Sequence, residues 1–403
     1  MAKHWDVKQV LATRTTLFGR SFMMMATLAL ASCATMVPKG PPPASAPVPV
    51  ERPAPVAPVN PAALPQDVGR HRVALLVPTT GHNAAVGQAI ANAANMAVLD
   101  TGGQTIRVTI YDTAPDAAAA ARKALADGNQ LILGPLLSDD VRAISGIARA
   151  AHVPVVSFSN DQSVSGNGIW VMGFTPSQAI NRVVSYAQEQ GATNFAGLAP
   201  KGVYGQRAST ALLRAVQEAG RQVVAMESYD HTPIAMQTAV SKLRLSAAYD
   251  AVLIADQGKD AMLLAPMIRR TGGAQAHIMG TELWNVSHNL HEVRELQGAW
   301  YASVSDALFD QLATKYRARF GKTPPRLASF GYDSVLLAMK IAGEWRNGAA
   351  FPINKLIDKG GFVGVDGVFR FTRDGVAERG LQVNQITGAG VKIVSPAPQS
   401  LGN

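Results

Sequence analysis

The chain has 403 residues, 47% hydrophobic and 16% charged, which is material for a sizeable core and excludes a disordered polymer. Its formal charge is +9, but the basic residues are scattered, with no Lys/Arg cluster and no aromatic-interleaved basic stretch, so nucleic acid is not an expected partner. A single cysteine excludes an internal disulfide and leaves its position as the informative fact.

A basic stretch ending in Arg20 runs into the apolar segment Phe22-Met-Met-Met-Ala-Thr-Leu-Ala-Leu-Ala31. That length fits the hydrophobic region of a signal peptide and is too short for a membrane span. Removing residues 1–32, with Lys3, Lys8, Arg14 and Arg20 against Asp6, leaves +6, a mildly basic surface suited to an anionic neighbour such as wall polymer or lipid headgroups. Leu30-Ala-Ser-Cys33 follows and resembles the bacterial lipobox, which implies lipidation of Cys33 and a membrane anchor through the N-terminal lipid. Ala34, where inner-membrane retention would place an aspartate, implies by the same resemblance the outer membrane, with the domain facing the periplasm. Residues 38–65 contain eleven prolines and cannot build a core. As polyproline II at about 3.1 Å per residue they reach roughly 85 Å, a semi-rigid tether. The expected organisation is a signal peptide at 1–32, a lipid-anchored tether at 33–68 and a folded domain at 69–403.

From Arg72 onward short apolar runs alternate with amphipathic, Ala-rich stretches, the pattern of a parallel α/β fold. Val73–Val77 is a continuous apolar strand suited to mid-sheet. A helix follows through Asp100 with Val86, Ile90, Ala93 and Ala97 on one face. Next come a strand at 106–111, a helix at 116–126 with an acidic first turn, a strand at 131–133, a helix at 138–151 and a strand at 153–157. A second set repeats the spacing, with helices at 177–190, 204–219, 234–245 and 259–270 and strands at 195–199, 223–228, 251–255 and 277–280. Two α/β lobes in sequence imply a cleft between them, with ligands beyond the carboxyl ends of the strands.

Ala74-Leu-Leu-Val-Pro-Thr-Thr-Gly81 resembles the opening strand and first ligand loop of type I periplasmic binding proteins. Ile132-Leu-Gly-Pro-Leu136 and Val153-Pro-Val-Val-Ser-Phe-Ser159 are similar to their next strand and their serine loop. Val203-Tyr-Gly205, Phe330-Gly-Tyr-Asp333 and the late strand pair Phe362–Phe371 with Asp374-Gly375 follow in family order. The resemblance implies lobe 1 at about 70–175 plus 303–345 and lobe 2 at about 176–302 plus 346–395. With the lipobox, the opening strand looks most like the LppC/LpoA group of penicillin-binding protein activators. This implies a non-enzymatic regulator that binds a peptidoglycan synthase. The alternative is a solute receptor for amino acids or wall fragments (muropeptides) feeding an ABC transporter.

By position the resemblance assigns Thr79, Thr80, Ser157, Ser159, Asn160, Tyr204 and Glu282 to the cleft, with Trp284 as a stacking platform. The bland readings are loop hydroxyls satisfying backbone groups, a helix-start acid, and an indole packing a lobe. Gly205 is either part of a ligand loop at a helix N-terminus or relief from backbone crowding. The serine loop Ser157-Phe-Ser-Asn-Asp161 lacks the small-Ala-Thr sequence of amino-acid-binding relatives, which weakens an amino-acid ligand. His288 and His291 stand at i and i+3 without the HExxH order, so no metal ligand is assigned. Gly321-Lys-Thr323 lacks the first glycine of a phosphate cradle, and there is no GxSxG elbow and no evident acid/base pair. Neither catalysis nor a cofactor is expected.

Overall fold

The computed structural model describes residues 69–401 apart from 274 and 288, so the signal peptide, Cys33, the tether and His288 lie outside the described residues. The first sheet is built from β1 (His71–Val77), β2 (Ile106–Asp112), β3 (Leu131–Leu133), β4 (Val155–Ser157) and β5 (Ile169–Val171). All five are parallel, in the order β2-β1-β3-β4-β5. Successive side chains of a strand point to opposite faces. On β1, Val73, Leu75 and Val77 enter one core with α1 (Ala84–Asp100), while Ala74 and Leu76 enter another with α2 (Ala117–Ala126) and α3 (Ser138–Ala150). Burial on both faces is why β1 reads as an unbroken apolar run. Asp116 stands before α2 as its N-cap, accepting from the Ala119 amide at 3.0 Å, and is not the helix's first residue as the sequence suggested.

The chain then crosses to the second lobe through α4 (Pro176–Glu189). Pro176 starts this helix, and Thr175 with Gln178 forms a capping box. Next come β6 (Asn194–Pro200), α5 (Val203–Glu218), β7 (Gln222–Tyr229), α6 (Pro233–Leu245), β8 (Ala251–Ile254), α7 (Gly258–Arg270), β9 (His277–Gly280) and β10 (Trp300–Ser303). The second crossing, at 304–306, leads back to α8 (Ala307–Phe320) and α9 (Ala328–Ala342) on the first lobe. There β11 (Phe362–Gly364), β12 (Gly367–Phe371) and β13 (Ala377–Arg379) form a small antiparallel sheet. A third crossing reaches β14 (Gln382–Thr387) and β15 (Gly390–Ser395), which complete the second sheet in the order β15-β14-β10-β9-β8-β6-β7. Among the described residues no helix is long and apolar enough to cross a membrane.

One expected boundary is corrected. Trp345, Phe351, Leu356, Phe362, Phe369, Phe371 and Ala377 are buried in the same core as β1 and α1, so residues 346–379 belong to the first lobe. The sequence reading assigned them to the second lobe as part of the block 346–395. Their large apolar side chains decide the matter, since each can be buried only where a facing apolar surface exists.

The closest approach of α1 and α9 depends on a missing side chain. A Cβ at Gly331 would stand 2.0 Å from the Ile90 carbonyl oxygen, so any side chain there forces the two helices apart. Alanine favours helix over glycine by about 1 kcal/mol. Overpacking costs about 1–3 kcal/mol, so Gly331→Ala is expected to be a net loss of stability. Urea unfolding checks this, and an unchanged or raised midpoint would show that the helices separate freely.

Candidate functional site

Between the lobes lies a cavity of about 580 Å³. Phe158, Phe174 and Phe330 line it beside Leu136, Leu327 and Leu381, so its wall is mainly apolar. The polar groups facing it include Asn83, Asn160, Gln178, Glu282, Asn285 and Arg326. It follows the usual chemistry of small-molecule sites, an apolar surface with a few polar groups that orient the occupant. Beneath the aromatic wall the buried Arg379 guanidinium lies 5.0 Å from the Phe174 ring centre and 5.7 Å from that of Phe330. It also donates to the Met172 carbonyl, tying the third crossing to the first. This stack fixes two of the three phenyl groups that form the wall.

Glu282 sits in the short 3₁₀ turn Glu282–Val286 after β9. Its Oε1 accepts from the Tyr204 hydroxyl at 3.2 Å, while Oε2 is buried with no hydrogen-bond partner among the described residues. Burial pushes the carboxyl up to about 7, partly opposed by its own backbone amide and by the tyrosine. Tyr204 in turn lies within 3.0 Å of the Thr281 hydroxyl, and burial pushes its phenol upward. Asn160 and Glu282 therefore face the cavity, and Tyr204 stands behind Glu282 as its support.

The remaining sequence candidates lie elsewhere. Ser157 Oγ donates to the Pro135 carbonyl at 3.1 Å and accepts from the Ser159 amide, while Ser159 Oγ accepts from the Asp161 amide. Both hydroxyls are buried and spent on closing the loop, as the bland reading held. Thr79 and Thr80 bind Asp112 through amide and hydroxyl, at 2.8 and 2.5 Å, and do not line the cavity. Trp284 is corrected outright: it is fully buried in the second lobe and donates to the Asp256 carbonyl at 3.1 Å, so it offers no stacking face. A Cβ on Gly205 would stand 1.7 Å from the Pro200 carbonyl oxygen, so that glycine answers crowding.

Sequence reasoning missed one ionic tie between the lobes and one ion-pair cluster at the second crossing. Asp161, after β4, is buried and pairs with Arg142 at 2.5 Å on its own lobe and with Arg207 of α5 at 2.6 Å on the other. Burial alone would raise its carboxyl, but Ser163 and the two guanidinium groups hold it below the usual range. Across the cavity, Arg326 pairs with Asp306 and Asp366, and Asp306 accepts from Asn285 at 3.1 Å. No motif announces such pairs because their members lie 19 to 46 residues apart on different elements. The cavity phenylalanines were more accessible to reading, since Phe158 and Phe330 sit inside two of the segments that carry the family resemblance.

Residues 71–391 match the family described as periplasmic binding protein. Among solved structures, the leucine-binding protein LivK of Thermotoga maritima MSB8 superposes with a TM-score of 0.56 at 18% identity, over 81% of this chain and 98% of that one. A branched-chain amino acid ABC transporter periplasmic ligand-binding protein of Burkholderia xenovorans LB400 gives 0.62 at 15%, over 82% and 96%. Full-length LpoA of Haemophilus influenzae gives 0.63 at 18%, over 82% of this chain and 60% of LpoA. These likenesses are of fold. An uncharacterized protein of Rickettsia prowazekii (strain Madrid E) is 26% identical over 209 residues, 49% of this chain and 56% of that protein, so the chain spans about half the length of this curated relative.

Proposed function

We propose, from the premise that this chain belongs to the periplasmic binding protein family, that it is a non-catalytic binding protein whose interlobe cavity takes a small, largely apolar molecule. The observation that carries this reading is Glu282 Oε2, buried beside an apolar wall without a hydrogen-bond partner among the described residues. An unsatisfied buried oxygen costs about 1–3 kcal/mol, which an occupant with a matching group recovers. The wall also selects among ligands. Its one cation among the described lining residues, Arg326, is committed to Asp306 and Asp366, leaving none for a ligand carboxylate. An apolar amine or amide therefore fits better than a free amino acid. Thermal melting of the full chain against apolar amines, amides, amino acids and muropeptides tests this. A ligand at 100 times its Kd adds about 2.7 kcal/mol and raises the melting temperature by a few degrees. A larger rise with free leucine than with its amide would overturn the selectivity.

A second reading concerns the partner. Residues 1–32 are cleaved, Cys33 carries the lipid, and residues 33–68 hold the domain of 69–403 away from the outer membrane to bind and regulate a peptidoglycan synthase. The lipobox, the opening strand's resemblance to penicillin-binding protein activators and the fold likeness to LpoA support it. It expects a synthase to co-purify with the chain and to shift its melting where small molecules do not. Absence of any wall enzyme from the purified complex counts against it.

A further inference from the structure

Two loops and one helix start at the carboxyl edge of the second sheet bring together side chains that the cavity does not use. His231 follows β7, Asp256 follows β8, and Asp260 stands in the first turn of α7. His231 Nε2 lies 2.8 Å from Asp256 Oδ2 and 4.0 Å from Asp260 Oδ2, and the three donor atoms all fall within 4.8 Å of one another. Both acids are buried, their side chains 5% and 7% exposed, whereas His231 is half exposed.

Hydrogen bonding within the cluster accounts for one acid only. Asp256 Oδ2 accepts from the Tyr229 hydroxyl at 2.8 Å and stands against His231, and its Oδ1 accepts from the Gln257 amide. Asp260 Oδ2 is buried, points at the same imidazole and has no hydrogen-bond partner among the described residues. Two buried carboxylates thus converge on one nitrogen, with Lys259 exposed at the side. A buried carboxylate left this way is costly unless a cation compensates it.

We propose that His231 Nε2, Asp256 Oδ2 and Asp260 Oδ2 form a binding site for a divalent transition-metal ion. One imidazole and two carboxylates neutralise a doubly charged ion. With bonds of about 2.0–2.2 Å the donors of such a site stand roughly 3–3.5 Å apart, a spacing that the 2.8 and 4.0 Å separations bracket. The nitrogen donor favours zinc, copper or nickel over manganese, calcium and magnesium, which suit oxygen ligands. The ion takes the place of the Nε2 proton, which leaves to solvent or to Nδ1. Tyr229 orients Asp256 from behind, the usual part of an outer ligand partner, and the half-exposed His231 leaves the site open to solvent. The ion would clamp the β7–α6 loop to the β8–α7 loop, whose Asp256 carbonyl also holds Trp284 two residues from Glu282.

The test is equilibrium dialysis of the chelator-stripped full chain against zinc, with the metal quantified, alongside Asp260→Asn and His231→Gln. One zinc per chain is expected, with affinity lowered at least tenfold in each variant and a zinc-dependent rise in melting temperature in the parent alone. Asp260→Asn without metal is expected to melt at or above the parent, because it removes a carboxylate that lacks a donor and repels Asp256. Misfolding would not then explain its loss of zinc. Zinc taken up equally by the parent and both variants would place the ion on other histidines and overturn the proposal. So would a parent that takes up none.

Discussion

Replacing Arg326 by methionine is expected to lower the unfolding free energy by about 3–5 kcal/mol, the usual cost of removing one partner from a buried ion pair. The guanidinium donates from Nε at 3.0 Å and lies with Nη2 at 2.8 Å from Asp366 Oδ1, reaches the Ser305 carbonyl at 2.9 Å, pairs with Asp306, and stacks 4.4 Å from the Phe309 ring centre. Asp366 is fully buried. Its Oδ2 accepts from Ser329 at 2.5 Å, and its amide donates to Asp333 at 3.3 Å. Burial first, and then the charge of Asp366, push the Asp333 carboxyl well above the usual range. Without Arg326 this acid pair sits in the core opposite one remaining buried cation, Arg379, which makes no direct ion pair with either. Methionine keeps much of the volume, so the loss reports charge more than packing.

The double variant Arg326→Met/Asp366→Asn is expected to recover part of the loss, since a buried pair replaced on both sides is often neutral. Urea unfolding of the four proteins of this cycle measures the coupling, expected at about 1–3 kcal/mol. A single variant within about 1 kcal/mol of the parent would mean that the pairing adds little. The same substitution frees Asp306, and with it the Asn285 contact that reaches the second lobe across the cavity rim. Loosened lobes should therefore accompany lost stability, visible as faster amide exchange in residues 282–286.

The sequence was most readable where chemistry is local. The run Val73–Val77 announces a strand buried on both faces, and the period of Val86, Ile90, Ala93 and Ala97 announces the helix that covers it. β5 and β13 are three residues each, too short for a period to show, and their place comes from pairing with distant partners, as Val171 does with Val376. The 346–379 segment was misassigned because chain order says nothing about which core a phenylalanine reaches. At the site, Asn160 and Glu282 were found through loop position, which strand topology fixes. The roles of Ser157, Ser159 and Trp284 were not legible, because whether a polar atom faces a ligand or the backbone depends on distances of about 1 Å. His231, Asp256 and Asp260 were missed because their spacing matches no continuous metal motif.

Glu282 connects pH to both stability and ligand choice. Its carboxyl is raised to about 7 by burial against an ordinary value of 4.5, so the folded chain holds a proton that the unfolded chain has released. The stability from that proton is therefore complete below about pH 4.5 and is lost as pH rises through about 7. Between pH 5 and pH 8 the loss is about 2–3 kcal/mol, and Glu282→Gln, which cannot ionise, should escape it. Asp333 acts in the same direction and remains in both proteins, so the difference between the two pH curves isolates Glu282. Asp112, Asp161 and Asp250, whose carboxyls are held low, act in the opposite sense but only below about pH 4. Urea unfolding at pH 5 and pH 8 should thus show the variant more stable than the parent at pH 8 and similar to it at pH 5. Parallel curves would mean that Glu282 is ionised and hydrated in the open cavity, and its oxygen would then ask nothing of an occupant. A flattened curve in the variant would mean that Glu282 holds the titrating proton, so that ligand choice at this atom follows its protonation. Below pH 7 that atom is an O–H offered to a ligand carbonyl; above it, an oxygen anion that selects an amine.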